Sequence, residues 1–100
     1  MVKHVIIWKL KDEFSTEEKA EIAKRIKAGL EGLKGVIEGL EEITVYADLL
    51  GSSTGDLMLD SLFTDEAALK AYAVHPMHVE VADRDLRPYT AVRSCADFIV

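Results

Sequence analysis

Residues 43–63, ITVYADLLGSSTGDLMLDSLF, hold the pattern that decides the fold. A second strand within 40–50, best defined at Ile43–Ala47, and a third at Leu57–Phe63 flank Gly51-Ser52-Ser53-Thr54-Gly55-Asp56. That spacer is turn chemistry and too short for a helix, so the two strands pair as an antiparallel hairpin. Upstream, residues 2–10 (VKHVIIWKL) read as a first strand. It alternates Val2, His4, Ile6, Trp8 and Leu10 on one face with Lys3, Val5, Ile7 and Lys9 on the other. Between these strands Ser15 and Glu18 form a capping box, and Ile22, Ala23, Ile26, Leu30 and Leu33 recur at helical spacing, with Gly32 and Gly35 marking the end.

Downstream, Thr64 caps a short helix with Asp65 and Glu66 in its first turn and Ala68, Leu69 and Tyr72 facing inward. Pro76 interrupts it, which makes His75 extended and Pro76 the first residue of a further helix. Val79, Ala82 and Leu86 give that helix its apolar side, Arg87-Pro88 ends it, and residues 91–100 form a closing strand. The order βαββαβ, with the second helix split, predicts the α+β class: a ferredoxin-like sandwich of four antiparallel strands with all helices on one face. The opposite face would then carry Val5, Ile7, Tyr46, Met58, Leu62 and Cys95. So apolar a surface predicts a homodimer, sheet face against sheet face, about a twofold axis.

At 100 residues the chain is one domain, 1–100, and 49% hydrophobic with 30% charged residues describes neither a disordered nor a fibrous chain. Twelve basic against eighteen acidic residues leave a formal charge of −6 with no local basic cluster, which argues against nucleic acid as a partner. No apolar run approaches the ~18 residues of a membrane span. The opening MVKHVIIWKLKDE lacks the apolar stretch and cleavage site of a signal peptide. Cys95, the one cysteine, allows neither an internal disulfide nor a cysteine-based zinc site. These features predict a cytoplasmic protein.

The chemistry-bearing residues are the three histidines and a tyrosine: His4, Tyr72, His75 and His78. Tyr72 shares the inward spacing of Leu69. His78, in the first turn of the helix begun by Pro76, sits at a positive helix end that disfavours protonation. A neutral imidazole can act as a general base, and a phenol beside it can donate to an oxygen that becomes negative. His4, from the inward side of the first strand, approaches the same place in so thin a sandwich. A bland account runs beside this one: Tyr72 as a core aromatic, His75 as a cap at the helix break, His4 as a satisfied buried histidine, Cys95 as packing. His-x-x-His across a proline lacks the paired spacing of a zinc helix and no carboxylate partner is evident, so no metal and no cofactor are expected.

Val2-Lys3-His4-Val5-Ile6 followed by Lys11-Asp12, the step Phe63-Thr64-Asp65-Glu66, and above all Tyr72-Ala73-Val74-His75-Pro76-Met77-His78 resemble the stress-responsive dimeric α/β-barrel (Dabb) family, from end to end of the chain. The resemblance implies a ferredoxin-like protomer that dimerises through its sheets into a barrel. Its member with understood chemistry, a plant olivetolic acid cyclase, closes a linear polyketide thioester by intramolecular aldol condensation. Carried over by motif, His78 resembles the base, Tyr72 the hydrogen-bond donor and His4 the first-strand histidine. Ile6, Trp8, Ile22, Ile26, Leu57, Leu59, His75 and Tyr89 would line a substrate pocket. Ile26 and Leu57 stand where the cyclase has a tyrosine and a histidine, and Trp8 where it has a smaller aliphatic residue, which predicts a drier, narrower pocket. The resemblance therefore implies a cofactor-free cyclase or isomerase acting on a small apolar carbonyl compound. Its alternative is a non-catalytic, stress-responsive or ligand-binding dimer with a filled interior.

Overall fold

The capping box at Ser15 forms as the sequence predicts: the Ser15 hydroxyl accepts from the Glu18 amide, and the Glu18 carboxylate accepts from the Ser15 amide. It starts the longest helix of a computed structural model that describes all residues, 1–100. The elements are β1 (Val2–Leu10), α1 (Thr16–Glu31), β2 (Leu40–Tyr46), β3 (Leu57–Phe63), α2 (Glu66–Val74), α3 (Pro76–Val81), a π-helical turn at Ala82–Leu86, and β4 (Thr90–Ile99). The four strands lie in the order β2-β3-β1-β4 with every neighbouring pair antiparallel. This is the ferredoxin-like α+β arrangement.

Two local expectations are corrected. Asp65, not Thr64, caps α2 through a hydrogen bond from the Ala68 amide, because the Thr64 amide is still held by the Gly39 carbonyl. In the last helical stretch Val81 is buried beside Ala82 and Leu86, whereas Val79 is only half-buried. Pro76 does begin α3, and His75 is extended at ψ 131°.

The core lies between the sheet and the helices. Ile22, Ile26 and Leu30 of α1 pack over Val45, Leu57, Leu59 and Phe63, and Ile26, Val45, Leu57 and Phe63 have no exposed surface. The Lys27–Glu31 pair does more than solvate α1. Glu31 accepts from Lys27 and from the Val45 amide, while Lys27 donates to the Val45 carbonyl, so two side chains occupy the free backbone groups of the edge strand β2. Burial alone would raise the Glu31 carboxyl, but the two donors outweigh it and hold it below its usual value. At the other end of β1, a Cβ on Gly55 would sit 3.0 Å from the Trp8 carbonyl, so only glycine lets the loop lie there. Asp56 beside it bonds the Trp8 carbonyl and the Leu10 amide, where the β1–β4 register shifts.

The register fixes the faces. Trp8, Ile6, His4 and Val2 stand opposite Arg93, Cys95, Asp97 and Ile99. Cys95 therefore belongs to the helix-side face, not to the outer face where sequence alone placed it. The outer face carries Val5, Ile7, Tyr46, Met58 and Leu62, joined by Val92 and Phe98 of β4. Helices cover β2, β3 and β1, but β4 is exposed along its length, and this leaves an open trough between β4 and the pair α2–α3.

Candidate functional site

A cavity of about 520 Å³ opens in that trough. Its floor is His4, Ile6 and Trp8 of β1, its roof is Leu69, Tyr72 and Ala73 of α2 with His78, Ala82 and Leu86 beyond the break, and Arg87, Thr90, Ala91 and Arg93 form its rim. Trp8 narrows the wall without filling the space. A neighbouring groove of about 710 Å³ continues past His4 along Arg93, Cys95 and Asp97.

The break at Pro76 turns the chain so that His78 folds back under Tyr72, with ring centroids 4.2 Å apart and planes inclined at 37°. The Nδ1 of His78 lies 3.3 Å from the Ala73 carbonyl oxygen. A carbonyl only accepts, so Nδ1 carries the hydrogen and, in the neutral ring, the lone pair is on Nε2. Burial pulls the imidazole below its ordinary value. The Ala73 carbonyl pushes it back up, and the positive fields of His4, Arg87 and Arg93 depress it further. Burial, rather than the end of the six-residue helix α3, is thus the leading cause of the neutrality the sequence predicted.

Tyr72 is buried, and its hydroxyl has no protein hydrogen-bond partner. Burial also pushes its phenol far above the usual range, so it stays protonated. A protonated phenol without a partner is a donor in reserve. His4 completes the set on β1, its ring 6.4 Å from that of Tyr72. Its Nδ1 is held by the Asp97 carboxylate, and its backbone carbonyl accepts from Ser61.

Of the side chains singled out from sequence, the structure brings together His4, Ile6, Trp8, Tyr72 and His78. Ile22, Ile26, Leu57 and Leu59 lie instead in the core beneath α1. His75 is a double cap: its backbone closes α2 and its Nδ1 accepts from the Met77 amide, which starts α3. Tyr89 packs on Phe14 under the Arg25 guanidinium, outside the cavity. Sequence reasoning missed Arg87, Arg93 and Asp97. It also missed that His4 Nδ1, Cys95 Sγ and an Asp97 oxygen lie within 4.8 Å of one another, a set able to hold a divalent ion and one that supplies the carboxylate absent from the local motif.

The family model of the stress-responsive A/B barrel domain, Dabb, matches residues 2–100. The chain belongs to the Dabb family. Its fold is shared by a dimeric protein of unknown function and ferredoxin-like fold from Bacteroides fragilis, 31% identical, covering 97% of this chain and 93% of that one at a TM-score of 0.90. A Dabb family protein of ferredoxin-like fold from Mesorhizobium loti is 18% identical over 99% of this chain and 95% of its own, with a TM-score of 0.79. The hydroxynitrile lyase of Passiflora edulis shares the fold at 16% identity, 99% and 92% coverage and a TM-score of 0.74. No curated protein matches the chain, so the likeness to the olivetolic acid cyclase rests on the motif alone. No helix is long and apolar enough to cross a membrane.

Proposed function

We infer that this Dabb protein is a homodimer whose protomers each remove a proton next to the carbonyl of a small ligand, without a cofactor. Nε2 of His78 takes the proton and the Tyr72 hydroxyl donates to the oxygen that becomes an enolate. His4, held by Asp97, orients the ligand from below. The observation that carries this reading is the stacked His78–Tyr72 pair at a cavity wall, with the imidazole hydrogen committed to the Ala73 carbonyl and the phenol without a partner. Neither Nε2 nor the hydroxyl then has a protein hydrogen bond to give up when a ligand arrives, although the buried hydroxyl must be uncovered by a small shift of its ring. Enolate chemistry of this kind serves aldol closure, isomerisation and retro-aldol cleavage alike, and the fold by itself does not choose among them. The dimer reading draws on the apolar outer face and on the dimeric relative from Bacteroides fragilis.

The test is deuterium uptake from heavy water into the α-carbon of small ketones, followed by NMR. Wild type should catalyse uptake and His78→Ala should abolish it while the dimer persists; equal rates in the two proteins would remove His78 from the role. The double cap at His75 favours one element of a second reading, in which the His-Pro segment stabilises the helix break of a non-catalytic ligand-binding dimer. That reading gains if no ketone exchanges in wild type and His78→Ala lowers the melting temperature.

A further inference from the structure

The chain carries a net charge of −6, yet no aspartate or glutamate lines the cavity under Tyr72. Its charged side chains are Arg87 and Arg93, with His4 and His78 beside them. Arg87 is already paired with Asp83 at its outer end, whereas Arg93 has no salt-bridge partner and stands at the junction of the cavity and the neighbouring groove. In an acidic protein, an apolar chamber with two arginines on its rim and no carboxylate in its wall favours an anion on that side of Arg93, while Asp65, Glu66 and Asp97 line the groove on the other side.

Resting on the proton-abstraction reading above, we propose that the ligand is a small oxo acid whose carboxylate is received by Arg93 at the cavity rim while its ketone carbonyl lies between Tyr72 and His78. The guanidinium offers parallel N–H donors that suit a carboxylate at both oxygens. Ile6, Trp8, Leu69 and Leu86 would enclose the short carbon chain between the two ends. In the step itself the α C–H bond breaks, its proton goes to Nε2 of His78, and the electron pair moves to the carbonyl oxygen, which accepts the Tyr72 hydrogen bond. No oxidant or further reactant is required.

The electrostatics give this choice a purpose. The groups that face His78 are His4 from β1, Tyr72 from α2, Arg87 after the π-helical turn and Arg93 from β4, and the charged ones among them oppose its protonation. A bound carboxylate neutralises Arg93 and so removes its share of that opposition, smaller than the shares of burial, His4 and Arg87, at the moment the base must accept a proton. A neutral ketone brings no such relief.

The probes are levulinate, its neutral methyl ester and inorganic phosphate, with binding followed by NMR titration and α-proton exchange measured on both ketones. Levulinate should bind at least ~10-fold more tightly than the ester, and Arg93→Gln should bring it down to the ester's affinity, with Arg93→Lys in between. The His78 ring should titrate at higher pH with levulinate bound than with the ester bound. Equal affinity for acid and ester in wild type, no loss in Arg93→Gln, or displacement of levulinate by phosphate at equal concentration would overturn the proposal. Failure of the base itself is read separately: if neither ketone exchanges in wild type while levulinate still binds through Arg93, the proton-abstraction reading falls and the anion site stands.

Discussion

Removing a single oxygen atom should make this protein more stable and less active. Tyr72 carries the buried side-chain polar atom that has no hydrogen-bond partner. A buried, unpaired hydroxyl costs about 1–3 kcal/mol relative to its solvated state. Tyr72→Phe keeps the ring and with it the stacking on His78 at 4.2 Å and the edge contact with Phe63 at 5.0 Å. Against the relief stands the small void left by one oxygen, about 1 kcal/mol at most if the site does not collapse. The net expectation is a gain of about 1 kcal/mol, which in a domain of this size raises the melting temperature by about 4–8 °C. Loss of the enolate donor should meanwhile slow α-proton exchange by about 10²–10³-fold. Thermal unfolding and deuterium uptake, measured on the same preparation, give the two readouts. Unchanged exchange in Tyr72→Phe would refute the donor assignment, and lost stability would show instead that the hydroxyl is already bonded in the free protein.

His78 should set the pH dependence. Its folded-state value lies below the ordinary one, so the unfolded chain binds the proton more readily. Stability therefore rises with pH between the folded value and the ordinary value near 6.5, and exchange should rise over the low end of that window to a plateau above it; His78→Gln should flatten both profiles. His75→Ala should cost about 1 kcal/mol of stability by removing the side-chain cap on Met77, and His75→Asn should restore much of it, as thermal melts would show. On the outer face Ile7 is 38% exposed, next to Val5 on β1 and opposite Met58 and Ser94, and Ile7→Asp should dissociate the proposed homodimer in sedimentation velocity without unfolding the protomer.

The fold was legible because its local signals agree with one another. The Ser15–Glu18 box, the alternation in β1 and the extended His75 before Pro76 each act over a few residues, and each appears in the structure where the sequence places it. Thr64 was a reasonable cap by residue type. What displaced it is a tertiary bond: the Gly39 carbonyl holds its amide, so the chain turns into the helix only at Asp65. Of the expected apolar wall, Ile6 and Trp8 line the cavity and Ile22, Ile26, Leu57 and Leu59 do not, for a different reason. Periodicity says that Ile22, Ile26, Leu57 and Leu59 point inward, but this molecule has two interiors, a dense core under α1 and a chamber under α2 and α3. Hydrophobicity alone does not separate them. A truncation does: Ile26→Ala, at a position with no exposed surface, falls in the class that costs about 2–5 kcal/mol.

The site divides along the same line between local and distant. Tyr72, Ala73 and His78 share one bend of the chain, so their meeting follows from the proline that makes the bend. Arg93, Cys95 and Asp97 reach His4 across 89 to 93 positions of sequence, through a strand pairing whose register no local motif announces. A slip of one residue in that register reverses every side chain of β4, so the face that Cys95 takes follows from the pairing and not from its local sequence. With Asp97 opposite His4, β4 supplies the carboxylate that holds one imidazole and, through Arg93, a positive charge that adds a little to the effect of burial on the other. On the anion-binding proposal, its exposed inner side serves the ligand rather than being a packing fault. A helix laid over β4 would bury Arg93 without a salt-bridge partner and cover the side of the chamber that Arg93 rims.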